Sequence, residues 1–589
     1  MSAQAKSLLD RWRLLVLLLW LGACVWLLWQ RWGAIYWFSL GDTDDNMRIA
    51  QVRAWLDGQG WYDLRQYRLN PPLGFDIHWS RLVDLPIAGL ILLTRPFVGG
   101  KVAEQIAVAL APLIPLLLAM LAAAFTARRL IHPRAAILAA AMVLCCQVAL
   151  DQFRPLRIDH HGWQLAFLMV TIAGLADPKR VRGGVAVGIA SALSLVIGLE
   201  LLPYIAVAGA SIALRWIVHQ EARPRMMGYA VAFGTATALG FGLFASYANR
   251  APLCDALTPV WLSTILVASA ALMILAQLNP ARREARLVLA AVAGAIVAGF
   301  FWLTWPQCHG RPENVSPELY RLWLSNVREA KPIYVQNADT IVANLAVPAI
   351  GMIGALWGIW RARGQEAIYC WLSIVVLSLF SVGMLFWQVR AGPAAQLIGV
   401  TGAAFLGWHL IGWFARSQHM LVRVFGITAA FLIVSGIASY AAFPFLPKEK
   451  DDTPYWKKVK AANRSCPTLP ALQPIARLPK TVIFTFADLG PRLIAVTHHD
   501  AIAGPYHRNG AAILDIHHAF DGPPEQAREI AKRHGATLLL VCPYFAESTV
   551  YKSRSPNGFY ARIERGETFP WLEPMPLPAK SPYKLWRIK

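Results

Sequence analysis

Apolar segments long enough to cross a lipid bilayer recur along most of this 589-residue chain. A helix needs about 20 apolar residues to span roughly 30 Å of hydrocarbon. With 56% hydrophobic and only 15% charged residues, the composition excludes an ordinary soluble protein. The sequence therefore predicts a polytopic α-helical membrane protein with about thirteen spans. Examples of such segments are 14–29, 102–124, 135–150, 227–247, 287–305, 341–360, 367–387 and 421–443.

Basic residues indicate which side of the membrane each loop faces. The net charge is +22, and Lys and Arg concentrate in short loops at the ends of alternate apolar segments, which is typical of cytoplasmic loops. This distribution explains the net positive charge. Nucleic-acid binding is not expected, because no basic patch accompanies a nucleic-acid recognition fold. We therefore predict a multi-pass protein of a cell (inner) membrane. Its external loops are predicted to be 31–85, 151–161 and 306–340.

The composition changes near residue 445, where charges and prolines replace the apolar segments. Segments 481–486 and 536–542 are predicted to be buried strands, and 524–534 a helix between them. This alternation is typical of an α/β layer. An odd number of spans places this region on the external, periplasmic side. We expect a membrane domain over residues 1–445 and an extracytoplasmic α/β domain over 446–589.

Two polar clusters beside apolar segments carry the candidate chemistry. Charge at membrane depth is costly unless it faces a partner or a wet cavity. Carboxylates and imidazoles suit Mg²⁺ or Mn²⁺, and such a cation can activate a phosphate leaving group. The alternative for Asp42, Asp44, Asp45 and Asn46 is capping of the helical stretch predicted over 47–57. The clusters are Asp42, Asp44 and Asp45 in the first external loop and Asp159, His160 and His161 in the second.

The order of these motifs resembles the catalytic subunit of the archaeal and bacterial oligosaccharyltransferases, which are GT-C membrane glycosyltransferases. That family carries Asp-Pro-x-Tyr-His-x-Arg in its first external loop, and Asp42 and Arg48 keep this spacing although the Tyr and His are replaced. Residues 78–84, His-Trp-Ser-Arg-Leu-Val-Asp, are similar to the family's His-Trp-x-x-Leu-x-Asp. The Asp-His-His at 159–161 matches the archaeal members, and 325–332 resembles their Ser-Val-Ser-Glu segment. The resemblance covers about residues 10–440.

The resemblance implies transfer of a sugar or oligosaccharide from a polyprenyl phosphate or diphosphate to an extracytoplasmic glycan, lipid or protein. It implies a divalent cation, Mg²⁺ or Mn²⁺, held by Asp42, Asp159 and His161. The implied catalytic residues are Asp42, Asp159 and Glu329, of which Asp42 and Glu329 contact the acceptor. The residues implied near the metal or the acceptor are Asp44, Asp45, His160 and His78. The candidates for the donor phosphate are Arg390, Arg157 and Arg81.

Simpler roles are open to several of these residues. Arg157 and Arg81 can pair with neighbouring loop carboxylates, and Arg390 can be an interfacial arginine whose charged end reaches the headgroups. Glu200 lies within an apolar stretch, where a structural hydrogen bond is expected before catalysis.

The resemblance does not identify the acceptor, and it leaves two other functions open. The sequon-recognition motif Trp-Trp-Asp-Tyr-Gly does not occur after residue 444, so asparagine in a sequon is not the expected acceptor. A transporter or flippase of lipid-linked saccharides is one alternative, although it is expected to place its ionisable residues at the membrane midplane. A polyprenyl-phosphate phosphatase is another, since it uses a similar metal for hydrolysis.

Cysteines and histidines of the C-terminal region raise two further questions. Cys466 and Cys542 share the predicted external domain and can pair there as a disulfide. Five histidines lie between 498 and 518; they lack a standard zinc spacing, so ordinary hydrogen bonds are the favoured interpretation. Segment 506–509, Tyr-His-Arg-Asn, is a candidate to meet a sugar or phosphate at the membrane surface. The cysteines expected to be packing residues in apolar spans are Cys24, Cys145, Cys146 and Cys370.

Overall fold

The computed structural model describes residues 11–447 and 453–589. Within them, nine helices are long and apolar enough to cross a membrane, and a bent helix pair adds a tenth. About thirteen spans were predicted from the sequence; three further apolar helices of 10–17 residues are present among the described residues. The helices of the bundle are Trp12–Tyr36, Asp84–Val98, Gly100–Leu110, Leu113–Leu130, Ala135–Cys145, His161–Leu175, Arg180–Ile197, Leu202–Val218, Arg223–Phe244, Pro259–Leu278, Arg283–Thr304, Ala338–Arg361, Ala367–Leu385, Gly392–Phe414 and Met420–Val434.

Small residues let the central helices approach closely. Ala338–Arg361 packs along Gly392–Phe414, and a Cβ atom placed at Gly354 would overlap the carbonyl oxygen of Gly402. Such close backbone contact is how membrane helices gain packing energy, because lipid removes the hydrophobic driving force between them. The bundle is therefore held by backbone approach as well as by apolar side chains.

The first long loop is itself ordered. Its helix, Thr43–Leu56, begins before the predicted stretch 47–57, because Asp42 is the N-cap and its Oδ1 accepts from the Asp44 backbone N–H at 3.0 Å. Capping of this helix therefore falls to Asp42, while Asp44 and Asp45 lie in the first turn. Two short strands, Arg65–Gln66 and Phe75–Asp76, pair antiparallel farther along the loop.

The C-terminal region forms a five-stranded mixed sheet with helices. The strands predicted over 481–486 and 536–542 are observed as Val482–Phe484 and Ala536–Val541, and the helix as Pro524–Arg533. The α/β prediction is thus confirmed. Across the sheet the strands follow the order Asp500–Ala501, Val482–Phe484, Ala536–Val541, Lys584–Ile588 and Leu572–Met575, of which the first three are parallel.

Two disulfides are present among the described residues. Cys466 pairs with Cys542 in the sheet region, which answers the question left open by the sequence. Cys254 pairs with Cys308 between two loops of the bundle, a bond that the sequence analysis did not predict. The cysteines expected to be packing residues, Cys24, Cys145, Cys146 and Cys370, are free.

The sheet region packs directly on the first loop. The Ala501 backbone N–H donates to the Arg68 carbonyl and the Asn70 N–H to the Ala501 carbonyl, each at 3.0 Å, so the loop extends the sheet edge. The Arg68 guanidinium also donates to Asp500 and to the carbonyls of Ile494 and Thr497. This packing brings the carboxyl ends of the parallel strands towards the polar clusters of the bundle.

Candidate active site

The two predicted polar clusters meet at one guanidinium. Arg157 Nη1 lies 2.6 Å from Asp42 Oδ2 and 3.3 Å from Asp45 Oδ2, while Nη2 lies 3.5 Å from Asp159 Oδ2. The Asp159 backbone N–H donates to Asp45 Oδ1 at 3.0 Å. The N-terminal end of the Thr43–Leu56 helix and the loop before His161–Leu175 are therefore joined at a single centre.

The two histidines of the second cluster have different environments. His160 Nδ1 lies 2.5 Å from Asp159 Oδ1, and its Nε2 lies 3.0 Å from Glu200 Oε1. Burial alone would lower the pKa of His160, but Asp159 and Glu200 outweigh it and raise the pKa to about 10. Gln164 donates to Glu200 Oε2 at 2.7 Å, so Glu200 has the structural hydrogen bonding expected of it. His161 Nε2 lies 3.4 Å from Asp159 Oδ2 and is the histidine that faces the centre.

The residues present fit a divalent cation. Asp159 Oδ2 is buried and accepts no hydrogen bond from any residue that the structure describes. Ligand atoms of Asp159, His160 and His161 lie within 4.8 Å of one another. Carboxylate oxygen with imidazole nitrogen is a donor set that suits Mn²⁺ and related cations. Asp42 reaches this group through the shared contact with Arg157.

The centre gathers more carboxylates than Arg157 can neutralise. Burial, together with the charges of Asp159 and Asp42, holds the pKa of Asp44 well above its ordinary value. Burial, opposed by Arg157, raises the pKa of Asp45 to about 7. Burial is the largest cause of both shifts, and the neighbouring carboxylates add to it, whereas a bound cation would favour the ionised carboxylates.

Two residues of the sheet region hydrogen-bond to the segment that contains Asp42. Arg492 Nη1 donates to Asn46 Oδ1 at 3.1 Å, and Asn46 Nδ2 in turn donates to the Asp42 carbonyl at 2.6 Å. The Tyr506 hydroxyl donates to the Thr43 carbonyl at 3.0 Å. The segment that contains Tyr506 was a candidate from the sequence, but Arg492 was not, because nothing near Arg492 in the chain signals a partner 446 positions away.

Arg81 is not available for a phosphate, which corrects one prediction. Its side chain is fully buried, and Nη1 lies 3.2 Å from Asp84 Oδ2. Nη1 also donates to the Gln51 carbonyl and Nη2 to the Asp63 carbonyl. The alternative, pairing with a loop carboxylate, is the role observed. Arg157 pairs in the same way but remains at the centre of the cluster.

His78, expected near the metal or the acceptor, is not part of the group of Asp159, His160 and His161 among the described residues. The centroid of its ring is 4.7 Å from that of His507, in a second polar cluster with Asp255. Trp79 follows His78, and its ring lies 5.9 Å from the His160 ring. The His-Trp stretch therefore separates two polar clusters.

Glu329 and Arg390 lie in neighbouring turns. Glu329 is exposed in the turn Arg328–Ala330, and the Val389 N–H donates to the Lys331 carbonyl at 2.8 Å. Arg390 Nε donates to Gln388 at 2.6 Å, and its Nη2 lies 3.8 Å from Glu313 Oε1. Among the hydrogen bonds and ion pairs of the described residues, neither side chain reaches Asp42 or Asp159.

Most histidines of the segment 498–518 make ordinary hydrogen bonds, as favoured from the sequence. Nε2 of His498 and of His499 lies 2.8 Å from a backbone carbonyl oxygen, and His518 Nε2 lies 2.9 Å from Glu318 Oε1. His517 Nδ1 accepts from Arg554. His507 is the exception, because it joins residues of two bundle loops.

Neither a protein-family model nor a curated protein matches the chain by sequence. Solved structures of the oligosaccharyltransferase AglB from the archaeon Archaeoglobus fulgidus do match. The complex with an inhibitory peptide and a dolichol-phosphate has a TM-score of 0.66 and 15% identity, covering 92% of this chain and 72% of that chain. The apo form has the same TM-score and coverage at 16% identity. A complex with Zn and sulfate has a TM-score of 0.59 and 15% identity over 88% of this chain and 67% of that one.

These matches extend over both the helix bundle and the sheet region. At this level of identity they concern the fold. The described chain combines the membrane helices, the two polar loop clusters and a sheet region packed over them. The protein therefore has the fold of the archaeal oligosaccharyltransferase, the GT-C architecture that its motifs resemble.

Proposed function

We propose that this protein is a metal-dependent membrane glycosyltransferase. It transfers a sugar or oligosaccharide from a polyprenyl phosphate or diphosphate to an acceptor on the extracytoplasmic side of the cell (inner) membrane. The observation that carries the proposal is the grouping of Asp42, Asp159 and His161 at one polar centre, where Asp42 and Asp159 share the Arg157 guanidinium and His161 lies against Asp159. The fold supports it, since a solved neighbour is an oligosaccharyltransferase in complex with a dolichol-phosphate.

Asp42, Asp159 and His161 are the proposed ligands of Mg²⁺ or Mn²⁺. When bound, the cation stabilises the charge that develops on the leaving phosphate. Asp159 Oδ2 and His161 Nε2 already face each other at 3.4 Å. His160, whose two nitrogens both face carboxylates, orients Asp159 and does not bind the metal.

Asp42 is the proposed contact for the acceptor nucleophile. The Asp44 amide holds Oδ1 at 3.0 Å, which leaves Oδ2 directed towards the centre and Arg157. A carboxylate fixed in this way can orient an acceptor hydroxyl or amide and take its proton as the new bond forms. The hydrogen bonds from Arg492 to Asn46 and from Asn46 to the Asp42 carbonyl keep this segment in place.

Glu329 and Arg390 complete the proposed site from the adjoining turns. Glu329 is exposed and is the proposed second contact for the acceptor, and Arg390 is the candidate for the donor phosphate. Arg157 is a second phosphate candidate, because its guanidinium lies at the polar centre beside the proposed metal ligands Asp42 and Asp159. The acceptor is a glycan, a lipid or a protein. Because the sequon motif is missing from the sequence, asparagine in a sequon is not proposed.

Substitution of the central carboxylates tests the proposed reaction. In proteoliposomes with labelled polyprenyl-phosphate and -diphosphate sugars and an extract of membrane acceptors, we expect transfer that requires Mg²⁺ or Mn²⁺. Asp42→Asn and Asp159→Asn should lower the rate by about 10²–10⁴-fold, the usual contribution of a positioned acid or base. Asp151→Asn is the matched control, since Asp151 lies in the same loop, is half exposed and pairs only with Arg154 among the described residues.

Three outcomes separate the alternatives. Label released into water instead of onto an acceptor identifies a polyprenyl-phosphate phosphatase. Label that changes leaflet at the parent rate in both variants identifies a flippase. Transfer at the parent rate in Asp42→Asn and Asp159→Asn rules out the proposed centre.

A further inference from the structure

A second polar cluster joins three segments that are far apart in the chain. His78 comes from the first long loop, Asp255 from the loop before Pro259–Leu278, and His507 from the sheet region. Ligand atoms of the three residues lie within 4.8 Å of one another. His507 Nε2 lies 2.5 Å from Asp255 Oδ2. None of these residues belongs to the Asp42 and Asp159 centre.

One atom of this cluster lacks a partner. His78 Nδ1 is buried and makes no hydrogen bond with any described residue. Leaving a buried polar nitrogen unsatisfied costs free energy of folding. A side chain placed at that cost beside a carboxylate and a second imidazole is characteristic of a ligand position.

The surroundings hold the three side chains in place. Arg508 donates to both carboxylate oxygens of Asp255 at 2.7 Å. Asn249 Nδ2 donates to the His78 carbonyl at 3.3 Å. The disulfide of Cys254, the residue before Asp255, ties that segment to Cys308. Partners of this kind orient metal ligands and are as important to affinity as the ligands themselves.

We propose that His78, Asp255 and His507 form a zinc site that fastens the sheet region to two loops of the helix bundle. Two imidazoles and one carboxylate are a donor set that zinc prefers, and three protein ligands leave the fourth position to water. The alternative is a network of ion pairs without metal, made by Asp255, His507 and Arg508. The site does not depend on the proposed transfer reaction.

The experiment measures how much zinc the full-length protein retains. The parent is the Asp159→Asn protein, in which the centre formed by Asp42, Asp159 and His161 is expected to bind little zinc. The protein is stripped of metal with EDTA, equilibrated with Zn²⁺ and analysed by elemental mass spectrometry. We expect about one zinc per chain, the content of one such site. His507→Ala should abolish this zinc, and Arg508→Gln should weaken its binding by about 10–100-fold. His518→Ala is the control, because His518 pairs with Glu318 at the surface and should keep the metal.

Two results overturn the proposal. One is zinc content in His507→Ala equal to that of the parent, and the other is no zinc retained by the parent. If His507→Ala does not fold, X-ray absorption at the zinc edge of the Asp159→Asn protein decides. A shell with two imidazole nitrogens at about 2.0–2.1 Å is expected, and a shell without imidazole contradicts the site.

Discussion

Asp84 sits between two arginines in the interior of the first loop. Its Oδ1 lies 2.9 Å from Arg48 Nη1 and its Oδ2 3.2 Å from Arg81 Nη1, and all three side chains are almost fully buried. The Arg48 guanidinium also lies over the Trp79 ring at 4.2 Å. Arg48 and Asp84 are the last residues of the two motifs that resemble oligosaccharyltransferases in this loop. Their spacing therefore reflects a buried ion pair that shapes the loop, and Asp42 is the proposed metal ligand of the first motif.

Removing the charge of Asp84 should destabilise the protein strongly. Asp84→Asn leaves Arg48 and Arg81 buried without a counter-charge, which costs about 3–5 kcal/mol. We expect a lower yield of monodisperse protein in detergent and a lower midpoint in thermal unfolding followed by tryptophan fluorescence. Asp76→Asn is the control in the same loop, since the partly exposed Arg65–Asp76 pair contributes only about 0–1 kcal/mol. Equal stability of the two variants would show that the buried pair does not hold the loop.

Apolar runs and alternating patterns predicted the elements of this protein, because both are local properties of the chain. The helix Pro524–Arg533 and the strand Ala536–Val541 lie where their patterns place them. The start of Thr43–Leu56 was predicted too late, since an acidic string signals either a loop or a capped helix. The local sequence does not decide between the two; the extended backbone of Asp42 does.

Packing between elements depends on glycines whose role is visible only in three dimensions. A Cβ at Gly402 would overlap the Gly351 carbonyl oxygen, whereas one at Gly412 in the same helix meets nothing within 4 Å. We expect Gly402→Leu to force apart the helices Ala338–Arg361 and Gly392–Phe414, at a cost of about 1–3 kcal/mol or more. Gly412→Leu should be tolerated. Thermal unfolding of the two variants in detergent measures the difference, and equal midpoints would contradict the proposed close contact.

At the scale of the whole molecule, the sequence predicted a membrane domain followed by an α/β domain, but it did not predict how they meet. The polar centre was predicted because its residues form short motifs. The cluster of His78, Asp255 and His507 was not, since its members are single residues far apart in sequence. The hydrogen bond from Arg492 to Asn46 was not predicted for the same reason, since it joins two single residues far apart in sequence. Tertiary contacts of this kind have no local signature.

The Cys466–Cys542 disulfide agrees with the extracytoplasmic position proposed for the sheet region. Disulfides persist in oxidising compartments, and Cys466–Cys542 lies within that region. We expect alkaline phosphatase fused after Lys589 to be active in intact cells, because this enzyme requires an oxidising compartment to fold. The same fusion placed after Arg363, in a basic loop predicted to be cytoplasmic, should be inactive. The opposite pattern would invert the orientation proposed for the whole molecule.

The single backbone hydrogen bond from Val389 to Lys331 makes a mechanical link between two turns with separate proposed tasks. Because this bond ties the main chain of one turn to that of the other, we expect a substitution that displaces one turn to displace the other as well.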